Sequence, residues 1–242
     1  MGNWLELGGD PFITFGTSHL TMLMIYFLGL LLFFIFLKKI RSKRTPFTII
    51  RWTLFSLLIL SEVSYQTWTG VTGIWSLRDH MPLHLCGVAG ITGAITLATY
   101  NKRLVQISFF IGLIPAFLAV VTPELPYDYP HFRFWKFFVH HIAISWTGIF
   151  LVSTSSAKIT LKSMLETYGY LLVYAFIIGV FINPCLESNY LYLSHTPTAS
   201  TPLDMLGNGF WYYFNLCVLG LVVFTAQQQI YRLFANFKRA ST

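Results

Sequence analysis

Apolar runs of bilayer length recur seven times along this chain, and no other property constrains its fold so tightly. A helix of about 20 apolar residues crosses a hydrocarbon core, where the backbone must satisfy its own N–H and C=O groups. The runs cover about residues 19–37, 47–68, 83–100, 104–121, 134–152, 167–184 and 210–226. They predict an all-α polytopic membrane bundle, one transmembrane domain of seven helices over residues 1–242. Composition agrees: 10% of residues are charged, against about 25% in a soluble domain. That excludes disorder, coiled coils and a solvated basic face for nucleic acid, so no nucleic-acid partner is expected.

An odd number of spans puts the termini on opposite sides, and charge decides which is which. With the tail after the seventh span in the cytoplasm, 13 of the 16 basic residues fall inside, leaving Arg78, Arg133 and Lys136 outside. Glu6, Asp10, Asp79, Glu124, Asp128, Glu187 and Asp204 fall outside as well. The positive-inside rule then gives N-out, C-in. The acidic start carries no basic n-region, so the first span reads as a helix that stays. All seven histidines (His19, His80, His84, His131, His140, His141, His195) lie in outer loops or outer halves of spans. The chemistry is therefore expected to face the outer leaflet.

Ionisable groups inside spans are costly and face a bundle interior or cavity. Glu62, Tyr65, Gln66 and Thr69 recur at helical spacing as one polar stripe. It reads either as a structural network or as a cavity wall in which Glu62 orients a histidine. The third helix opens with Met81-Pro82-Leu83-His84-Leu85-Cys86, with Pro82 suited to its first turn. Cys86, Gly87, Ala89, Gly90, Gly93 and Ala94 form a small-residue seam that suits a central helix. Cys86 is either part of that seam or a nucleophile. Residues two apart on a straight helix point about 200° apart, so a base for Cys86 must come from another helix than that of His84. On the fifth helix His141, Ser145 and Gly148 share a face, with His140 about 100° away.

Arg133, at the interface, suits a phospholipid headgroup, and Trp211, Tyr212 and Asn215 share a face at the top of the last helix. An aromatic belt accounts for the outer Trp and Tyr residues equally well. Other motifs are weak. His80-x-x-x-His84 has ligand spacing but Pro82 interrupts it, so no metal site is expected. A Cys86–Cys185 disulfide stays open.

Pro82-Leu83-His84-Leu85-Cys86, Thr122-Pro123-Glu124-Leu125, the run from Pro130 to His141, Asn189-Tyr190 and Thr201-Pro202-Leu203-Asp204 together resemble the YwaF-like family of bacterial integral membrane proteins. Gly207-Asn208-Gly209-Phe210-Trp211-Tyr212 departs from that family's Gly-Pro-Trp-Pro-Trp-Tyr. The family is in turn similar to a eukaryotic membrane acyltransferase that remodels ether phospholipids without acyl-CoA, through a cysteine and histidines. The resemblance implies acyl transfer between lipids, with His84, Cys86 and His141 at the matching positions. The relative's cysteine and histidine are adjacent, whereas here Leu85 separates them.

On this reading His141, aided by His84, deprotonates Cys86, which attacks a phospholipid ester to give a thioester. A lysolipid then takes the acyl group, or water does, as in a phospholipase. Glu62, His140, Arg133, Asn189, Asp204, Trp211, Tyr212 and Asn215 are the expected substrate-facing residues. Membrane phospholipids or lysolipids are the expected partners, no cofactor is called for, and the site is expected on the extracytoplasmic side of the cell membrane. The alternative is a non-enzymatic binder or transporter holding a lipid, proton or metal ion among His19, Glu62, His84 and His141. The lack of an inverted repeat weakens the transporter form.

Overall fold

The computed structural model describes residues 4–196 and 202–240, with the side chains of 202 and 234–240 excepted. Thr201 of the Thr-Pro-Leu-Asp motif and the side chains of Lys238 and Arg239 therefore lie outside the described residues. The helices are α1 (Thr17–Ser42), α2 (Arg44–Val71), α3 (Leu85–Thr99), α4 (Lys102–Val121), α5 (Phe132–Thr154), α6 (Leu161–Ile177) and α7 (Phe210–Ala240). α6 runs on through a π turn, Ile178–Ile182, and a last helical turn, Asn183–Leu186. Six of these helices are long and apolar enough to cross a membrane, and α3 is shorter. The molecule is a polytopic helical membrane bundle.

Helix ends overrun the apolar runs, because backbone hydrogen bonding continues into the polar flanks. α1 ends at Ser42 and α2 starts at Arg44, so only Lys43 separates them. α3 departs in the opposite sense. It begins at Leu85, so Pro82 precedes the helix instead of sitting in its first turn. His84 is its N-cap residue, with extended backbone at φ −65° and ψ 154°. The 200° argument separating His84 from Cys86 on one helix therefore does not apply.

α3 and α5 pack against each other and each against both α2 and α4 as the centre of the bundle, α1 lies against α2 and α5, and α6 and α7 flank α4. In its most apolar stretch α5 is 61% buried while α1 is 11% buried, which marks α5 as the central helix and leaves α1 to face lipid. The small-residue seam of α3 makes close packing possible. A Cβ on Gly93 would meet Leu58 and Thr147 at 3.3 Å, and one on Gly90 would meet His140 Cε1 at 2.9 Å. At the basic end Arg51 ties α2 to the close of α3, donating to the Leu97 carbonyl at 2.6 Å and the Ala98 carbonyl at 2.9 Å. The histidines gather at the opposite end, where α3, α5 and α7 begin.

Candidate functional site

A helix of 15 residues spans about 22 Å at 1.5 Å per residue, less than the roughly 30 Å of a hydrocarbon core. The irregular connection 72–84 leads into α3 at the histidine-bearing end. Irregular backbone within a hydrocarbon core is tolerated only where protein satisfies it. Here side chains do so. Tyr190 Oη donates to the Leu77 carbonyl at 2.7 Å and accepts from Met81 N at 3.0 Å. Tyr174 Oη donates to the Leu83 carbonyl and Gln66 Nε2 to the His80 carbonyl, both at 2.7 Å. His84 is thereby held between the rings of Tyr190 and Tyr192, at centroid distances of 5.2 and 5.3 Å.

Tyr192 in turn donates to Glu124 Oε2, and its own carbonyl accepts from Tyr212 Oη at 2.9 Å. Burial and the Glu124 carboxylate keep the Tyr192 phenol protonated far above its ordinary range. Glu124 also acts electrostatically on His84. No side chain caps the start of α3, and a Cβ on Gly87 would strike the Pro82 carbonyl oxygen at 2.6 Å. The first N–H groups of α3, around Cys86, thus remain as donors beside a closely packed backbone.

The polar stripe on α2 is matched by α5. Glu62 accepts from Gln66 at 2.8 Å and forms an ion pair with Lys136 at 3.9 Å, so its charged partner is a lysine and not the histidine expected. Lys136 Nζ lies 4.3 Å from the Tyr65 ring centroid. Arg133 donates to Tyr65 Oη at 3.1 Å and lies over the Tyr65 and Trp68 rings. One turn inward, His140 Nδ1 bonds Ser61 Oγ at 2.7 Å. Its ring interacts with the Cys86 backbone, while Nε2 meets no partner at hydrogen-bonding geometry. His141 Nδ1–H donates to the Phe137 carbonyl at 2.7 Å, and its ring lies against that of Phe137. Ser145, on the face of His141, bonds Tyr26 Oη of α1 at 2.8 Å.

The structure thus brings Glu62, His84, Cys86, Arg133, His140 and His141 to one end, with Tyr212 joined through Tyr192. Asn189 shapes a turn, donating to the His195 carbonyl at 2.9 Å and accepting from Ser194 N at 3.0 Å. Asn215 donates to the Leu206 carbonyl at 2.9 Å. Asp204 and Trp211 are exposed. His19 binds the Val120 carbonyl and the Phe15 N–H through its two ring nitrogens, apart from Glu62 and His84. Cys86, Cys185 and Cys217 are all free thiols, which closes the question of a Cys86–Cys185 disulfide. Among the described residues no group of three His, Cys, Asp or Glu side chains has metal-holding geometry.

Sequence reasoning passed over Lys136, Ser61, Tyr190 and Tyr192 as site residues. Lys136 carried a usable signal: it is four residues before His140, hence on the same face, and a cation at that depth needs a partner. Ser61 and the two tyrosines carried none, because their contacts depend on long-range packing.

A histidine-bearing, cation-containing cluster at one end of a multi-helix bundle defines a polytopic membrane protein with a polar site set into one end of the bundle. The chain belongs to the TMEM164 family, whose model matches residues 14–226. No curated protein and no solved structure matches it.

Proposed function

We propose that this protein is an intramembrane acyltransferase that moves a fatty acyl chain between phospholipids and lysolipids through Cys86. The observation that carries the reading is the position of Cys86: second residue of a short, uncapped helix, beneath His84 and beside His140. The resemblance to a cysteine- and histidine-dependent lipid acyltransferase family supports the same chemistry. The Cys86 thiol gives its proton to a histidine and its sulfur attacks the ester carbonyl of a donor phospholipid. His141 and His84 are the matching positions, and His140 has the closer contact with the α3 start. Backbone N–H groups at that start stabilise the oxyanion. Collapse releases the lysolipid alkoxide, which takes the proton, and leaves an acyl thioester. A lysolipid hydroxyl then attacks the thioester and restores the thiol; water in its place makes the enzyme a phospholipase.

Arg133 suits the donor's phosphate, with Glu62, Asn189, Asp204, Trp211, Tyr212 and Asn215 lining or shaping its approach. The site faces the extracytoplasmic leaflet of the cell membrane, given the cationic opposite end. Incubation of purified protein with labelled phospholipid and lysolipid tests the proposal. Cys86→Ala abolishes turnover, His84→Ala, His140→Ala and His141→Ala lower it at least about 100-fold, as is usual for lost acid–base catalysis, and mass spectrometry finds an acyl adduct on the Cys86 peptide. Turnover retained in Cys86→Ala overturns the assignment.

A further inference from the structure

Lys136 has no role in the mechanism above, yet it is the most deeply placed cation at the outer end. Its side chain is 16% exposed and that of Glu62, its ion-pair partner, 19%. Removing two charges from water is costly, and one ion pair seldom recovers the whole cost. Arg133 shares the Tyr65 ring with Lys136, and the Asp79 and Glu62 carboxylates both act on Tyr65. Asp79 pairs with Arg78 at the surface, and Glu124, which accepts from Tyr192, acts on His84 as Lys136 does. The His80 ring lies 5.9 Å from that of Tyr65, and Arg133 acts on it as well.

Helix register relates Lys136 to Cys86. α3 and α5 both run inward from the outer end, and Gly90 packs against His140. One turn outward along each helix brings Cys86 and Lys136 to the same depth. The two act on each other electrostatically, and Lys136 acts also on His84, His140 and His141.

We propose that Lys136 is a positioning residue for Cys86: its ammonium, tethered by Glu62 over the Tyr65 ring, is the counter-charge for the sulfur anion that forms when the Cys86 thiol gives up its proton. The inference rests on Cys86 being the nucleophile. It adds the source of nucleophile activation, since the neighbouring histidines are buried and a neutral imidazole supplies no fixed charge. The ammonium forms no bond and transfers no group. It lowers the energy of the anion that forms when Cys86 loses its proton to a histidine, and it remains in place when the thioester has neutralised the sulfur.

The test reads the thiolate directly and needs no lipid substrate. In a Cys185→Ser, Cys217→Ser background, Cys86 is the single thiol, and its alkylation by iodoacetamide is followed against pH in detergent-purified protein. Lys136→Gln slows alkylation at pH 7 by about tenfold or more and moves the profile up by about one pH unit or more, the scale of losing an opposite charge at close range. Lys136→Arg restores most of the rate. If Lys136→Gln does not fold, the charge-neutral pair Glu62→Gln, Lys136→Gln gives the same slowing. An unchanged profile in either folded variant overturns the proposal and marks the pair as a structural tie. That result leaves acyl transfer standing, whereas turnover persisting in Cys86→Ala refutes acyl transfer and leaves the alkylation result untouched.

Discussion

Gly90 shows how one missing side chain shapes the site. Its absent Cβ would come within 2.9 Å of His140 Cε1 and 3.2 Å of Nε2, and the imidazole has no room to retreat because Ser61 holds Nδ1 at 2.7 Å. Gly90→Ala therefore lowers stability by about 1–3 kcal/mol, the range for overpacking. Gly70→Ala, where nothing lies within 4 Å, is neutral or stabilising by up to about 1 kcal/mol. Thermal unfolding of the two variants in one detergent checks the contrast. His80 gives a pH-dependent expectation. Burial lowers its pKa, with Asp79 opposing and Arg133 adding to the effect, and Nδ1 accepts from Ser76 N at 3.2 Å. A histidine with a depressed folded pKa binds its proton more readily unfolded, so its stabilising effect is full above the ordinary imidazole range and fades as pH falls. Between pH 7.5 and pH 5, His80→Asn, which keeps an acceptor, loses less stability than the parent. A pair of equal slopes contradicts this.

Among the elements, the connection from α6 to α7 does most to enclose His84, and Asn183 holds it. That side chain is 2% exposed; its Oδ1 accepts from Tyr190 N at 3.0 Å and Ser188 Oγ at 2.9 Å, and its Nδ2 donates to the Tyr190 carbonyl at 3.0 Å. Asn183→Ala strands the Tyr190 peptide groups in a buried site, at about 1–3 kcal/mol. Tyr190 and Tyr192 then leave the His84 ring. The measurable consequence is faster proteolysis between residues 187 and 196, with hydrogen exchange rising there and not in α5. α3 makes a related point about legibility. Its apolar run was visible in the sequence, but its first turn was read from Pro82, while the helix starts at Leu85 because side chains from α2 and the α6–α7 region hold residues 77–83 in another conformation.

For the whole molecule, the segregation of histidines from the cationic end predicts an absolute orientation. In a cysteine-free background, Asp128→Cys is labelled by a membrane-impermeant maleimide on intact cells, and Lys162→Cys is labelled only after permeabilisation. The reverse pattern inverts the topology. The helical membrane class was legible because bilayer thickness and the need to satisfy the backbone act on each segment separately, so run length alone declares a helix. The gathering of polar residues at one end was legible for the same local reason. What only tertiary structure decided is which of them meet. Lys136 pairs with Glu62, His140 rather than His141 turns toward the Cys86 backbone, and Tyr190 and Tyr192 enclose His84. Each of these contacts depends on the rotation and register of one helix against another, which side-chain packing sets over the whole bundle and no single segment encodes.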